Sequence, residues 1–405
     1  MIYSFTLWKS FFVLKMYFCE DQISKMRNKI LFISSWFPNK LETTNGNFVR
    51  RHAEAVALLH DVEILHAIGD SKQKQNYIFD DQLVSGIRTL IVYYKQLNNP
   101  MLNFIRRSIA YQKGFVRLHK PDLVHGNILQ NNMLFAVWLN VRYQIPFVIS
   151  EHWSGFLKVN QPKLSKIALI TARCIAHFAK VIFPVSAQLK EDLQSLKIGN
   201  LYKVVGNVVD TCIFVPQGKA NHHFQFLHIS NLSALKNPES IIEAIAKIHE
   251  EFPDVELEIG GDGDVEILNQ KVQELNAQSY IRTFGEISIQ EVASKMAKSQ
   301  CFVLFSKYET FSCVLLESLS SGTPIISTNV GIATELKNLN CGIIINENQN
   351  ELYDAMKEMI LQYHRFAASS VLHTYVADHY SKRKIAEKFD EEYQKVLAKK
   401  EKIHF

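Results

Sequence analysis

Short apolar runs rich in Val, Ile, Leu and Phe recur along this chain, most of them followed by a longer amphipathic stretch. That alternation is the pattern of βα units packed into a parallel sheet, and it excludes all-helical and sandwich folds. The first series predicts strands at 29–34, 61–67, 87–94, 122–126, 147–151 and 180–185, with helices at 47–60, 131–143 and 163–179. The pattern restarts after a Pro- and Gly-containing stretch, Val208 to Asn221, with strands at 224–230, 255–260, 281–284, 301–306, 324–328 and 342–345. A chain of 405 residues is too long for one typical core and suits two α/β domains. The expected boundaries are 26–205 and 206–379, with a closing helix over 380–405 that crosses back onto the first domain. Two doubly wound sheets in series leave a cleft, and in such sheets ligands bind outside the carboxyl ends of the strands.

The opening segment stands apart. Phe5 to Phe18 is aromatic-rich, but Lys9 and Lys15 interrupt it, it is too short to span a bilayer, and it lacks a small-residue cleavage site. Residues 1–25 read as a poorly structured upstream extension ahead of a start at Met26, with a membrane-surface anchor as the alternative. A 47% hydrophobic and 21% charged composition is that of a soluble globular protein, here expected to be cytoplasmic. The net charge of +5 fits an anionic substrate or an acidic membrane surface and is too small to argue for nucleic acid. The six cysteines, Cys19, Cys174, Cys212, Cys301, Cys313 and Cys341, show no metal spacing and read as small buried hydrophobes in a reducing compartment.

The most informative segment runs from Ser306 to Ser327. A strand ends at Ser306, a loop carries Glu309, a helix starts near Ser312 as its N-cap, and Gly322 stops it as C′ before Pro324 opens the next strand. Free N–H groups of the first turn, around Ser312, Cys313 and Val314, offer a seat for a diphosphate. Glu309, just outside that terminus, is placed to accept hydrogen bonds from sugar hydroxyls, and Glu317 to hold a ribose diol. The alternative for both is a solvated charge on an exposed helix end. Leu315, Leu316 and Leu319 read as core.

This segment, Glu309 to Gly331, closely resembles the signature of glycosyltransferase family 4, and the other landmarks follow in the family's order from Met26 onward. The resemblance implies a GT-B fold of two Rossmann-like domains and a retaining transfer from a nucleotide sugar. It implies no dedicated nucleophile, metal or cofactor. It places the loop Glu309-Thr310-Phe311 and the turn Ser312-Cys313-Val314 at the donor, Glu309 on the transferred sugar and Glu317 on the ribose. Thr310 stands where the family usually has Gly. After the first strand of the second domain, Lys236 matches the family's lysine, while Asn231 stands in place of its arginine. Cations there stabilise the departing diphosphate. A plain surface lysine is the alternative for Lys236.

Phe284-Gly285-Glu286 resembles the loop beside the nucleobase, and Gly46, just before a helix, the first Gly loop, with a simple turn glycine as the other reading. Ser150-Glu-His-Trp153 follows a strand and resembles a version of the family's histidine loop, so His152 is expected at the reaction centre, orienting the sugar or shuttling a proton. His125 and Asn127 are weaker neighbours, Asn207 and the Gly-rich 258–264 stretch structural. Expected partners are a UDP- or GDP-sugar and a glycan or lipid-linked acceptor, as in surface polysaccharide synthesis. The basic segment Arg106, Arg107, Lys113, Arg117 and Lys120 offers peripheral membrane contact or an ordinary wet helix face. The rival readings are a non-catalytic nucleotide-sugar binder and another enzyme on the same plan, such as an epimerase.

Overall fold

The computed structural model describes residues 27–219, 223–337 and 339–401. The expected extension 1–25, Met26 and Cys19 lie outside the described residues. The first half runs β1 (Lys29–Ser34), α1 (Asn47–Val56), β2 (Asp61–Asp70), β3 (Tyr77–Val84), β4 (Ile87–Lys95), α2 (Pro100–Phe115), β5 (Leu123–Asn127), α3 (Leu134–Tyr143), β6 (Phe147–Glu151), α4 (Lys166–Phe178), β7 (Ile182–Pro184) and α5 (Ala187–Ser195). The second runs β8 (Phe224–Ser230), α6 (Pro238–Glu251), β9 (Val255–Gly261), α7 (Val265–Glu274), β10 (Ile281–Phe284), α8 (Ile289–Lys298), β11 (Cys301–Leu304), α9 (Cys313–Ser320), β12 (Ile325–Thr328), α10 (Ala333–Leu336), β13 (Gly342–Ile345), α11 (Gln349–Leu361), α12 (Ser369–Tyr380) and α13 (Lys382–Glu401).

Two sheets result, ordered β3-β4-β2-β1-β5-β6-β7 and β10-β9-β8-β11-β12-β13. The expected two-domain α/β architecture is present. Central strands are apolar on both faces, as in β1, where Ile30 to Ile33 are all buried, because helices cover both sides of the sheet. In the first sheet the strand order reverses between β1 and β5, in the second between β8 and β11. The loops leaving those four strands are therefore where a ligand crevice opens.

One strand is absent from the expected set. β3 pairs antiparallel with β4 at the sheet edge, and its Asp80, Asp81 and Gln82 mask the strand signal; no residue of β3 is fully buried, so this margin tolerates polar side chains on both faces. The cysteine expectation also needs correction: Cys301 and Cys341 are buried, but Cys174 and Cys212 are exposed. Helix α13 packs on α1, burying Ile385, Phe389 and Tyr393. At its start the Ser381 hydroxyl donates to the Ala377 carbonyl of the helix before. The core is continuous across the junction, where Val205, Val208, Phe214, Phe311 and Tyr380 join residues of both sheets. Among the described residues no helix is long and apolar enough to cross a membrane.

Candidate active site

The β11–α9 loop is held by what it buries. Phe311 is 2% exposed, its carbonyl accepts from Ile332 N (2.8 Å), and the Thr310 carbonyl accepts from Ser186 Oγ (2.7 Å) at the start of α5. Pinned on both sides, the loop reaches α9 through Ser312 at φ 72°, a left-handed conformation that costs a non-glycine residue energy. Ser312 occupies the N-cap position but does not cap: its hydroxyl makes no bond to the first turn and is buried without a partner. The amide end of α9 is thus left without a side-chain cap, which suits an anion. The far end closes as expected. Gly322, at φ 76°, donates to Leu319 O and Thr323 N to Ser318 O, the paired bonds of a Schellman turn.

Each carboxylate at this helix end has a cation from elsewhere. Lys236, on the loop after β8, ion-pairs with Glu309, their side chains 17% and 13% exposed. Glu317, on the first helical turns, accepts from Arg51 of α1 at 3.0 Å. The two loops that meet here leave β8 and β11, the strands of the switch point. Charges so far withdrawn from water need partners, and these pairs supply them.

The other residues singled out on this domain flank this centre. Asn231 Oδ1 accepts from Ser233 N and Oγ, forming the turn that carries the chain to Lys236. The neighbouring Gly-rich stretch is packed backbone: a Cβ on Gly261 would lie 1.7 Å from Ser230 O. Gly285, after β10, has open space around it. Burial pushes the Cys313 thiol up to about 11, so this first residue of α9 is uncharged at neutral pH, and Asn207 Nδ2 donates to its sulfur at 3.4 Å.

The opposite lobe offers different chemistry. Gly46 precedes α1 at φ 77°, and a Cβ there would lie 2.4 Å from the Trp36 carbonyl, so this glycine is required by the chain's own turn. From α1, Phe48 stacks on His152 (4.1 Å between centroids) and His52 lies beside the same ring (5.4 Å). Both nitrogens of His152 are buried without partners. Burial first, then His52 and His125, hold its pKa well below the usual imidazole value, so the ring is neutral. His52 reaches the Gly206 carbonyl through Nε2 (3.1 Å), and Gly206 lies against the Phe311 ring, a packed path from His152 to the loop of Glu309. Glu151 beside it accepts from three backbone amides, of Leu129, His152 and Trp153, while burial pushes its pKa to about 7. His125 and Asn127 are tied into the core, His125 by Tyr393 and Ser150. A cavity of about 330 Å³ opens beyond β5 and β6 between Gln130, Trp153 and Ile167.

Sequence reading does not single out Arg51. Its one signal is position: it lies between Phe48 and the buried His52 on α1, and a charge drawn out of water there needs a partner.

Two family models match in succession, "Glycosyltransferase Family 4" over residues 46–212 and "Glycosyl transferases group 1" over 211–368. The chain belongs to glycosyltransferase family 4. This glycosyltransferase is 24% identical over 345 residues to a human protein, a subunit of phosphatidylinositol N-acetylglucosaminyltransferase, covering 82% of this chain and 69% of that one. Its fold matches sucrose-phosphate synthase from Thermosynechococcus elongatus (TM-score 0.73, 18% identity, 92% of this chain and 100% of that one). It also matches HepE from Anabaena in complex with UDP and glucose (TM-score 0.70, 18% identity, 91% and 100%). The glycosyltransferase thus has the GT-B fold, with the paired carboxylates on its C-terminal domain and neutral imidazoles on its N-terminal one.

Proposed function

We propose that this glycosyltransferase moves a sugar from a UDP- or GDP-sugar to a glycan or lipid-linked acceptor, with retention at the anomeric carbon and without a metal. One observation carries the reading: at the switch point of the C-terminal sheet, a helix end with no side-chain cap stands between two carboxylates, each already neutralised by a cation. A nucleoside diphosphate brings negative charge to the helix amides and cations, while its hydroxyls donate to the carboxylates. Glu309 takes the transferred sugar, Glu317 the ribose, and Thr310 to Val314 wrap the diphosphate. Gly285 leaves room for the base, and Asn231 shapes the loop of Lys236.

In the step itself the bond from anomeric carbon to β-phosphate oxygen breaks as the acceptor oxygen bonds to that carbon from the same face. The acceptor's proton passes to the departing phosphate, whose charge Lys236 stabilises. His152, neutral and beside α1, orients the sugar; its depressed basicity makes it a poor resting base at neutral pH. The cavity beside Trp153 suits the acceptor. Surface polysaccharide synthesis in the cytoplasm is the setting such an acceptor implies. A lipid-linked acceptor would bring α2 to an anionic membrane, since Met101, Leu102 and Ile105 are exposed there, and retention on anionic vesicles at low salt tests this.

The test is a screen of nucleotide sugars for thermal stabilisation and slow hydrolysis, with and without chelator. Hydrolysis of one UDP- or GDP-sugar that survives chelation is expected. Turnover that vanished with chelator and returned only with Mn²⁺ would remove the metal-free part. Binding with no hydrolysis or transfer would favour a non-catalytic binder.

A further inference from the structure

Arg51 comes to this site from the far lobe. Gly46 is the N-cap of α1, and the direction fixed there sets Phe48 against His152 of its own domain and turns His52 and Arg51 toward the second: His52 meets Gly206 O, and Arg51 meets Glu317. The guanidinium is largely buried, its side chain 23% exposed. The groups that face it are Glu317 and Cys313 on α9 and Asp210 on the interdomain segment. Of these, Cys313 is a neutral thiol, and Glu317 is hydrogen-bonded at 3.0 Å.

The two pairs balance one another: Lys236 against Glu309, Arg51 against Glu317, with Asp210 a further acidic group near Arg51. A ligand that brought only hydroxyl groups would take the carboxylates' acceptor positions and leave the two cations short of hydrogen-bond acceptors. A ligand with a diphosphate and two sugars satisfies all four. The diphosphate takes the cations, and the sugar hydroxyls donate to the carboxylates. At the loop after β8 only Lys236 is charged, because position 231 is the neutral Asn231, engaged in its own turn.

We propose that Arg51 is the second cation for the leaving diphosphate, delivered from the N-terminal domain and released from Glu317 when the donor's ribose takes that carboxylate. This rests on the donor site proposed above. It makes the ion pair a placeholder, and it means that the donor is gripped by both domains at once, with the interdomain contact remade through the ligand. Arginine suits the role because its planar fork bonds carboxylate and phosphate oxygens with the same geometry.

The experiment compares uridine, UMP and UDP (and the guanosine series) by calorimetry on the full chain, with donor hydrolysis alongside. Arg51→Ala is expected to weaken UDP by about 10–100-fold, the range of a charge-assisted hydrogen bond, while leaving uridine unchanged or tighter because Glu317 is set free. Hydrolysis falls by about 10²-fold. Arg51→Lys keeps part of both, and Asn231→Arg added to Arg51→Ala restores UDP binding. Should Arg51→Ala leave Glu317 too costly to bury, Arg51→Gln is placed on Glu317→Gln and compared with Glu317→Gln alone, and the further loss must fall on UDP and not on uridine. Equal gains for uridine, UMP and UDP would reduce Arg51 to a latch and overturn the proposal, as would wild-type UDP affinity and hydrolysis in Arg51→Ala. In either case, loss of binding in Lys236→Ala would leave the donor site standing. If neither Lys236→Ala nor Glu317→Gln altered any nucleotide's binding, the site itself would be misplaced, and the role of Arg51 would fall with it.

Discussion

At the switch point of the C-terminal sheet the side chains are ionised and paired, Lys236 with Glu309 and Glu317 with Arg51. At the carboxyl ends of the N-terminal sheet, apart from the buried Glu151, the corresponding groups are rings without charge: His125 and His152, with His52 from α1 beside them, all buried. The two sheets share a plan, so the difference is one of furnishing. Charges withdrawn from water but held in pairs can exchange partners with a ligand of opposite pattern. Neutral rings packed on one another can only shape and exclude. Under the proposed function, that contrast gives recognition of a charged donor to the second domain, aided by Arg51, and leaves the first to supply a dry wall and a place for the acceptor.

The largest effect expected from this difference is on turnover. Glu309→Gln and Lys236→Ala each lower donor hydrolysis or transfer by about 10²–10³-fold with the fold intact, the loss typical of removing one charge-stabilising group. His152→Ala loses less, since a neutral ring holds no charge in the step. Steady-state kinetics on the three variants decides it. A loss at His152 as deep as at Glu309 would break the comparison.

The second effect is on stability in acid. Four imidazoles of the N-terminal domain have depressed pKa values through burial, His52 and His66 to about 4 and His125 and His152 well below the usual value; in the other domain, among the described residues, His228 is so depressed. In the unfolded chain these rings take a proton near pH 6.5. In the fold they resist until about pH 4, so between the two values the unfolded chain binds more protons and acid favours it. Each ring held from 6.5 to about 4 is worth about 3 kcal/mol at most. Glu151 opposes them: raised from 4.5 to about 7, it lets the folded chain hold the extra proton across that interval, a stabilisation lost as pH rises towards 7. Four groups outweigh one, so the N-terminal domain should unfold first as pH falls from 6.5. The described tryptophans, Trp36, Trp138 and Trp153, all lie in that domain, so their fluorescence in denaturant reports it. Equal midpoints at pH 7 and pH 5 would refute the assignment.

How much of this is legible in the sequence follows the same division. Central strands such as β1 and β11 are plain because burial on both faces makes them continuous apolar runs, and the loop and helix from Glu309 to Gly322 are plain because strand end, carboxylates and glycine stop fall in one short stretch. The edge strand β3 is hidden by Asp80 and Asp81, charges that a half-exposed sheet margin tolerates. Arg51 is hidden for a different reason: its partner is 266 residues away, and no local pattern carries a pairing between domains. Ser312 stands at the expected place without the expected act, since residue type predicts a cap only where φ is extended, and here the loop forces it left-handed.

Two glycines give the smallest and sharpest contrast. Gly46 sits at φ 77° with the Trp36 carbonyl 2.4 Å from where a Cβ would stand. Gly46→Ala therefore costs about 2–3 kcal/mol of stability through strain and displaced backbone, read as a lower denaturant midpoint with an unchanged slope. Gly285 has nothing within 4 Å of the same added atom. Gly285→Ala should leave the midpoint within about 0.5 kcal/mol of the parent. Any effect it has must then come from crowding the space beyond β10, to which the proposed function assigns the nucleobase, and should appear as weaker binding of uridine or guanosine with stability unchanged. If Gly285→Ala destabilised the fold as much as Gly46→Ala, the open space would be part of the packing rather than of the donor site. The base would then have to be sought elsewhere along the C-terminal strand ends.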